Sequence, residues 1–459
     1  MPDFTPQQSA VISAIASGES IAARAVAGSG KTTTLIAGLS GTSAEGIALA
    51  FNKRNAEDLQ AKLPPDSSIT AKTLNALGHR IWSDHLRKRL IVTSDKTADI
   101  IKSRSWKLER DEWSALVRMV SIAKARAISP GILNRPDPDF EEWLAGAQQI
   151  DIPDDLFHTL APQALEVLRE SCKQAWAGKI DFDDQLYMPV VFNSRFPSFP
   201  LVAVDEAQDL SPLQHEMVAR LQPKQLIVVG DPAQAIYAFR GASSSSYHDL
   251  VERFSLREMP LTVSFRCPHL IGAEARRYVA DFQCVAAAPQ GSVQTLSEPA
   301  LTPGAIICRY NAPLIRLAFR AIREGIPIEF LGRDFLAGLK SIAKKAPTQT
   351  ALDAWLDARL REARTRGAKS RATDQHASLS VIYASGGDPI KHLEKLSAKT
   401  GARLILSSVH KAKGLEWPAV TFLEYNPHAE GEQEPNINYV GVTRAQQSLT
   451  FTESRYDRA

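Results

Sequence analysis

Cysteine is scarce in this chain. Four residues (Cys172, Cys267, Cys284 and Cys308) among 459 cannot build a disulfide scaffold. None stands in a CxxC pair, which argues against a zinc site or a four-thiolate iron–sulfur cluster. No run of about 18 apolar residues occurs, so no membrane span and no membrane partner are expected. The N-terminus, MPDFTPQQSAV, lacks a basic stretch followed by an apolar core, and hence a secretory signal. A soluble, cytoplasmic protein is expected. Low-complexity sequence is confined to Ser243–Ser246, and no repeat of about 20–50 residues signals a solenoid.

Net charge is also small, +3, in a composition of 44% hydrophobic and 23% charged residues. These are ordinary globular values, and the length suggests two to four domains at about 100–200 residues each. The distribution of charge says more. Residues 78–135 hold 13 Lys/Arg against six Asp/Glu, and residues 333–411 hold 15 against seven. Either excess alone fits a solvated helix face. Two of them in a near-neutral chain point to a polyanionic partner.

Short apolar runs alternate with helical patterns in the first third. Ser20–Ala27 and Gly46–Phe51 read as strands, Lys31–Leu39 and Asn55–Leu63 as helices, which is the grammar of a parallel, doubly wound sheet. Residues 79–181 read as helices. Strand patterns return at Pro200–Val204, Gln225–Val229, Gly304–Cys308, Leu404–Ser407 and Ala419–Leu423. Residues 333–400 are polar and basic, with Arg359, Arg361, Arg364 and Arg366 on one expected helix, Trp355–Arg366. The outline is two α/β cores, each interrupted once.

AVAGSGKTT (Ala25–Thr33) lies between an expected strand and an expected helix, the context of a phosphate-binding loop. Gly28 and Gly30, with Ala27 and Ser29, can turn backbone N–H groups toward phosphate oxygens. Lys31 would reach the β- and γ-phosphates of ATP, and Thr32 would set its hydroxyl on Mg²⁺. The strict loop pattern has Gly where this chain has Ala25. LVAVDEAQD (Leu201–Asp209) is an apolar strand ending in carboxylates. There Asp205 can hold the metal through water, and Glu206 can deprotonate the attacking water. GDPAQAIYAFRGA (Gly230–Ala242) continues another strand; Gln234 is placed to sense the γ-phosphate, and Tyr237 and Phe239 could stack on bases.

Together these motifs resemble the UvrD/Rep/PcrA branch of superfamily 1 DNA helicases, from end to end. FTPQQ resembles the Q motif, with Gln8 as adenine reader and Gln7 as the register alternative. AVAGSGKTT resembles motif I of this branch, where Ala in the first position is usual. ALAFNKRNAEDL, TLNALG, DEAQD, GDPAQAIYAFRGA, LTVSFR, SSVHKAKGLEW and YVGVTRAQ resemble motifs Ia, Ib, II, III, IV, V and VI in family order.

The resemblance implies two RecA-like parallel-sheet cores with helical insertions. Core 1A, the ATP-binding one, would comprise residues 1–78 and 182–258, with insertion 1B at 79–181. Core 2A would comprise 259–332 and 401–459, with a reduced, basic 2B at 333–400. Lys31, Asp205, Glu206, Gln234, Arg266 and Arg444 would serve hydrolysis at a 1A/2A cleft, the two arginines clamping the γ-phosphate. Gln8, residues 27–33, Phe265 and Glu416 would hold the nucleotide, Glu416 at the ribose. Phe51, Asn52, Thr73, Tyr237, Phe239, Arg240 and His410 match positions that touch single-stranded DNA. Thr33 and Phe265 replace the family's usual Arg and Tyr around the adenine, implying a weaker hold on one face. Asn75 stands where motif Ib commonly has His, and Phe239 where motif III has Trp. The motif III form implies 3′→5′ movement. The implied activity is ATP-dependent DNA unwinding and single-strand translocation; the alternative is an ATP-switched factor that displaces proteins and barely unwinds. Implied partners are single-stranded DNA, ss/ds junctions and a protein of replication, repair or defence.

Overall fold

The computed structural model describes residues 4–237, 245–363, 366–398, 401–429, 431 and 433–453. The chain divides into two compact units, Met1–Ala25 with Gly30–Leu261, and Val26–Ser29 with Thr262–Ala459. No helix among the described residues is long and apolar enough to cross a membrane.

The first unit carries β1 (Ile21–Ala25), β2 (Gly46–Ala50), β3 (Ile69–Thr73), β4 (Ile91–Val92), β5 (Lys179–Ile180), β6 (Leu201–Val204), β7 (Gln225–Gly230) and β8 (Arg257–Leu261). Six of them form a parallel sheet in the order β3-β2-β6-β7-β1-β8. Strands β2, β6 and β7 are buried at every position, because helices cover both faces of such a sheet. Helices α1 (Pro6–Ala16), α2 (Lys31–Ser40), α3 (Lys53–Lys62) and α4 (Leu74–Leu86) alternate with the first strands. The β2 and β3 exits are each stapled by a side-chain cap. Asn52 Oδ1 accepts from Asn55 N–H at 2.9 Å, and Thr73 Oγ1 from Ala76 N–H at 3.1 Å.

Between α4 and β6 stand the helices Lys96–Lys102, Arg110–Ala125, Phe140–Gln149, Asp154–Trp176 and Asp184–Val191. Their core is continuous with that of the sheet: Ile47, Leu49 and Val202 share one cluster with Leu116, Trp143 and Leu168. Trp82 and Trp143 are fully buried, and their indole N–H groups donate to the carbonyls of Ala175 and Met119. Four charges are buried here as well. Lys96 Nζ lies 2.5 Å from Asp184 Oδ2, and Lys124 Nζ lies 2.7 Å from Asp181 Oδ2 and 2.8 Å from Asp184 Oδ1. Burial pulls the Lys124 ammonium down, but Asp184 and Asp181 outweigh it and hold the proton on. Burial pushes Asp181 up, yet Lys124 and Lys96 bring it to about 2. Two of the 13 cations in residues 78–135 are therefore internal and cannot face a polyanion.

The second unit carries β9 (Val263–Ser264), β10 (Gln283–Cys284), β11 (Ser292–Leu296), β12 (Gly304–Cys308), β13 (Ile328–Leu331), β14 (Leu404–Ser408), β15 (Trp417–Tyr425) and β16 (Ala445–Glu453). Six form a second parallel sheet, β11-β16-β15-β12-β14-β13. Between β13 and β14 come the helices Arg333–Lys345, Gln349–Glu362, Arg366–Ala384 and Pro389–Ser397. The single helix expected over Trp355–Arg366 is instead two: the first ends at Glu362, where Ala363 turns extended (ψ 109°), and a second starts at Arg366. Asp374 ties this insertion to its core. Its carboxylate accepts from Asn311 N–H at 3.0 Å, Ala312 N–H at 2.8 Å and Asn311 Nδ2 at 3.0 Å, capping the helix Ala312–Arg323.

Candidate nucleotide and nucleic-acid site

Strand β1 delivers the chain to the glycine loop, and α2 leaves it. Gly28 and Gly30 both sit in the left-handed region (φ +74° and +75°), so each reverses the backbone where another residue would be strained. Gly30 is the N-cap of α2 and brings no capping side chain, which leaves the first-turn N–H groups turned toward an incoming anion. A Cβ on Gly30 would stand 2.8 Å from Gln8 Nε2, so the Q-motif amide abuts the loop. Gln8 is 4% exposed, and its Oε1 accepts from Thr5 N–H in the α1 capping box; Gln7 beside it is half-buried.

At the carboxyl end of β6 the two carboxylates face the loop. Thr32 Oγ1 lies 3.5 Å from Asp205 Oδ2, and Lys31 Nζ lies 3.6 Å from Glu206 Oε2. Burial, and then the neighbouring Glu206, push the Asp205 carboxyl up to about 6, against the pull of Lys31. Glu206 itself occupies the left-handed region (φ +55°), an uncommon state for a residue with a side chain. The donor set suits a hard divalent cation: a hydroxyl and a carboxylate oxygen 3.5 Å apart, the carboxyl held above its ordinary range by burial and Glu206. Among the described residues no group of three or more His, Cys, Asp or Glu could hold a metal by itself. A cation here would lean on the phosphates of a nucleotide.

Past β7, Gln234 is 5% exposed and its Nε2 donates to Asp231 Oδ2 at 2.6 Å. Of the positions expected at DNA, Phe51 and Asn52 directly follow β2, and Tyr237 lies on the loop after β7, beyond the turn Pro232–Gln234. Phe51 and Tyr237 are half-buried with parallel rings, 6.0 Å between centroids and 1° between planes, and Asn52 is exposed. Thr73 ends β3. Phe239 and Arg240 lie outside the described residues. Two residues that the sequence did not single out belong to this edge. Phe182 is 59% exposed, and its carbonyl accepts from Asn75 Nδ2 at 2.9 Å. Its signal was an aromatic set among acids in KIDFDD. Gln208 of the DEAQD motif is 1% exposed and bonded at both ends of its amide.

The remaining positions lie in the second unit. Arg266 forms a close ion pair with Glu416, Nε to Oε2 at 2.5 Å, and Glu416 also accepts from Gln446 Nε2. Arg444 is 1% exposed; its guanidinium donates to the carbonyls of Val440 and Leu415 and to Thr443 Oγ1. Within this unit Ala27 N–H donates to Tyr439 Oη at 2.8 Å, and Phe265 N–H to the Gly28 carbonyl at 2.8 Å. Ser29 is buried, Thr33 and the Phe265 ring are exposed, and half-buried His410 follows β14.

A glycine loop between a parallel strand and a helix N-terminus, with carboxylates at a neighbouring strand end, defines a P-loop nucleotide-binding core. The chain belongs to the UvrD/REP helicase family: the model of the UvrD/REP helicase N-terminal domain matches residues 4–255, and that of the UvrD-like helicase C-terminal domain matches residues 404–452. It is 23% identical to the F-box DNA helicase protein 1 of Schizosaccharomyces pombe over 95% of this chain and 56% of that protein. It is 27% identical to DNA helicase IV of Escherichia coli over 60% of this chain and 47% of that protein. The chain thus spans about half the length of these curated relatives. Among solved structures, the DNA complex of the arterivirus nonstructural protein 10 helicase matches with a TM-score of 0.38 and 12% identity, over 98% of this chain and 63% of that one.

Proposed function

We propose that this protein is an ATP-dependent DNA helicase that moves 3′→5′ along single-stranded DNA. The observation that carries the reading is the convergence at one sheet edge of Lys31 on Glu206 and Thr32 on Asp205. A phosphate-binding cation and a carboxylate pair at that spacing fit nucleoside triphosphate hydrolysis. Lys31 and the N–H groups of the loop and α2 bind the β- and γ-phosphates. Thr32 and Asp205 would hold Mg²⁺, which supplies Lewis-acid charge to the phosphate oxygens. Glu206 takes the proton of the attacking water, and Gln234 orients toward the γ-phosphate. In this reading Arg266 and Arg444 exchange their present partners for γ-phosphate charge. Phe51, Asn52, Thr73, Tyr237, Phe182 and His410 meet the strand, the aromatics by stacking.

The test is phosphate release with and without an oligonucleotide, followed by unwinding of duplexes carrying a 3′ or a 5′ tail. Hydrolysis stimulated by single strands, weakening as salt rises, with unwinding from the 3′ tail, is expected. Hydrolysis indifferent to the oligonucleotide overturns the coupling, and unwinding from the 5′ tail overturns the polarity. The short second insertion favours the remodelling alternative; displacement of a bound protein without strand separation would select it.

A further inference from the structure

The geometry assigns Gln208 as a positioning residue that fixes the candidate base Glu206 and locks it to the loop carrying Gln234. The inference rests on the proposed ATPase reading.

The chain leaves β6 through Asp205 and Glu206 and enters a short turn, Ala207–Asp209. Gln208 sits inside that turn, 1% exposed. Its Nε2 donates to Glu206 Oε2 at 2.5 Å, and its Oε1 accepts from the Asp231 N–H at 3.0 Å. The two partners fix which end of the amide is which, since an ionised carboxylate only accepts and a backbone N–H only donates. Space for this arrangement comes from Gly230: a Cβ there would lie 2.8 Å from Gln208 Oε1. Beyond Asp231 the chain of bonds continues. Asp231 Oδ1 accepts from Ala233 N–H, and Oδ2 from Gln234 Nε2 at 2.6 Å. The same turn is also held by Ser246, at the start of the helix Ser246–Arg253, whose Oγ donates to the Ala207 carbonyl at 2.7 Å.

The Glu206 oxygen held by Gln208 is the one that faces Lys31 at 3.6 Å. When Lys31 turns to a phosphate, the carboxylate loses that neighbour and keeps the donor from Gln208. Its aim at the attacking water then depends on Gln208, and through Asp231 on the loop that reads the γ-phosphate. A preorganised donor of this kind acts on turnover more than on ground-state binding.

The test uses the full chain, with steady-state hydrolysis at saturating single-stranded oligonucleotide. Gln208→Glu keeps the shape and the acceptor for Asp231 N–H, and puts an oxygen where Glu206 needs a donor. A fall in kcat of at least about tenfold is expected, with KM for ATP within about twofold, at a temperature well below the melting point, which the added carboxylate buried beside Glu206 will lower. Gln208→Met, which lacks both bonds, should fall at least as far. In the background of Glu206→Gln, adding Gln208→Glu should cost no further activity, because the group it positions is gone. The inference is overturned if Gln208→Glu keeps kcat within about threefold of wild type. It is also overturned if Gln208→Met, which removes the donor without burying a new charge, keeps kcat near wild type, or if the two substitutions are additive. A wild-type chain without ATPase activity would remove the functional reading and this inference with it; an active wild type with an unaffected Gln208→Glu removes this inference alone.

Discussion

The ammonium of Lys31 stands 3.6 Å from a carboxylate oxygen of Glu206, with the two side chains 12% and 25% exposed. Glu206 neutralises the ammonium that, on the proposed reading, a nucleotide's phosphates would otherwise meet. On that reading, ATP binding takes Lys31 away from Glu206 and leaves the carboxylate, still held by Gln208, to act as the base. Lys31→Ala should abolish hydrolysis with an unchanged melting curve, since no core side chain is lost. Glu206→Gln should bind ATP at least as tightly as wild type, because Lys31 no longer has a competing anion. Its turnover should fall below about a tenth, equivalent to roughly 1.4 kcal/mol of barrier. Isothermal titration and phosphate release on the same preparation check both parts. Turnover above a tenth sinks the assignment of Glu206.

Tyr237 and Phe51 lie parallel with 6.0 Å between their centroids at the carboxyl edge of the first sheet. Neither ring is fully buried, so both can offer a face to a base. Tyr237→Ala should weaken single-strand affinity by about 1–3 kcal/mol and separate ATP use from unwinding, while hydrolysis without DNA survives. Fluorescence anisotropy with a labelled oligonucleotide measures the first effect and a melting curve measures its rival. A core role would instead lower stability by several kcal/mol, as large-to-small core changes do, with affinity intact.

His215 is 5% exposed, and its Nε2 meets Ser246 Oγ at 2.8 Å, one bond away from the Ala207 carbonyl of the acidic motif. Burial brings its pKa down to about 4; Asp249 opposes that effect and Arg253 reinforces it. The folded pKa lies below the unfolded one, so the fold binds fewer protons. The stability concerned is fully present above about pH 6.5 and is lost as pH falls through about 4, on the order of 3 kcal/mol. His215→Gln keeps a donor toward Ser246 and removes the titration. Melting temperatures of the wild type should drop more steeply between pH 6.5 and 4 than those of the variant. Parallel pH curves would contradict this.

The limits of sequence reading follow the burial of each strand. In the first sheet β1, β2, β6 and β7 were legible as apolar runs, and in the second β12, β14 and β15, because a parallel strand covered on both faces has little room for polar residues. The strands that escaped notice include all four sheet edges, β3 (ITAKT), β8 (REMPL), β11 (SVQTL) and β13 (IEFL). An edge strand keeps polar and charged side chains, and its pattern blurs into that of a loop. The phosphate loop and its carboxylates were legible because their chemistry demands particular residue types at short spacing. The aim of Gln208 was not, since an amide reads the same whichever way it points. Nor was the burial of Lys96 and Lys124, for a lysine's partner is set by tertiary packing alone.

Lys124 gives the sharpest test of that packing. Its ammonium is bound to Asp181 and Asp184, and Lys96 holds the other side of Asp184, all at most 7% exposed. Two buried cations face two buried anions, with the Asp183 carboxylate adding to the negative side, and the turn from Asp181 to Asp184 is closed by reciprocal backbone bonds to the Asp181 and Asp184 carboxylates. Lys124→Met fits the space and removes one charge, leaving the carboxylates undercompensated inside the fold. A loss of about 3–5 kcal/mol in stability is expected. Adding Asp184→Asn should return part of it, because the excess negative charge is then relieved, although Lys96 loses some of its own compensation. Urea denaturation of the wild type, the single variant and the double variant measures both terms. A single-variant cost below about 1 kcal/mol, the range of an exposed ion pair, would mean that water reaches the cluster. A double variant less stable than Lys124→Met would mean that Lys96, not the carboxylates, sets the balance.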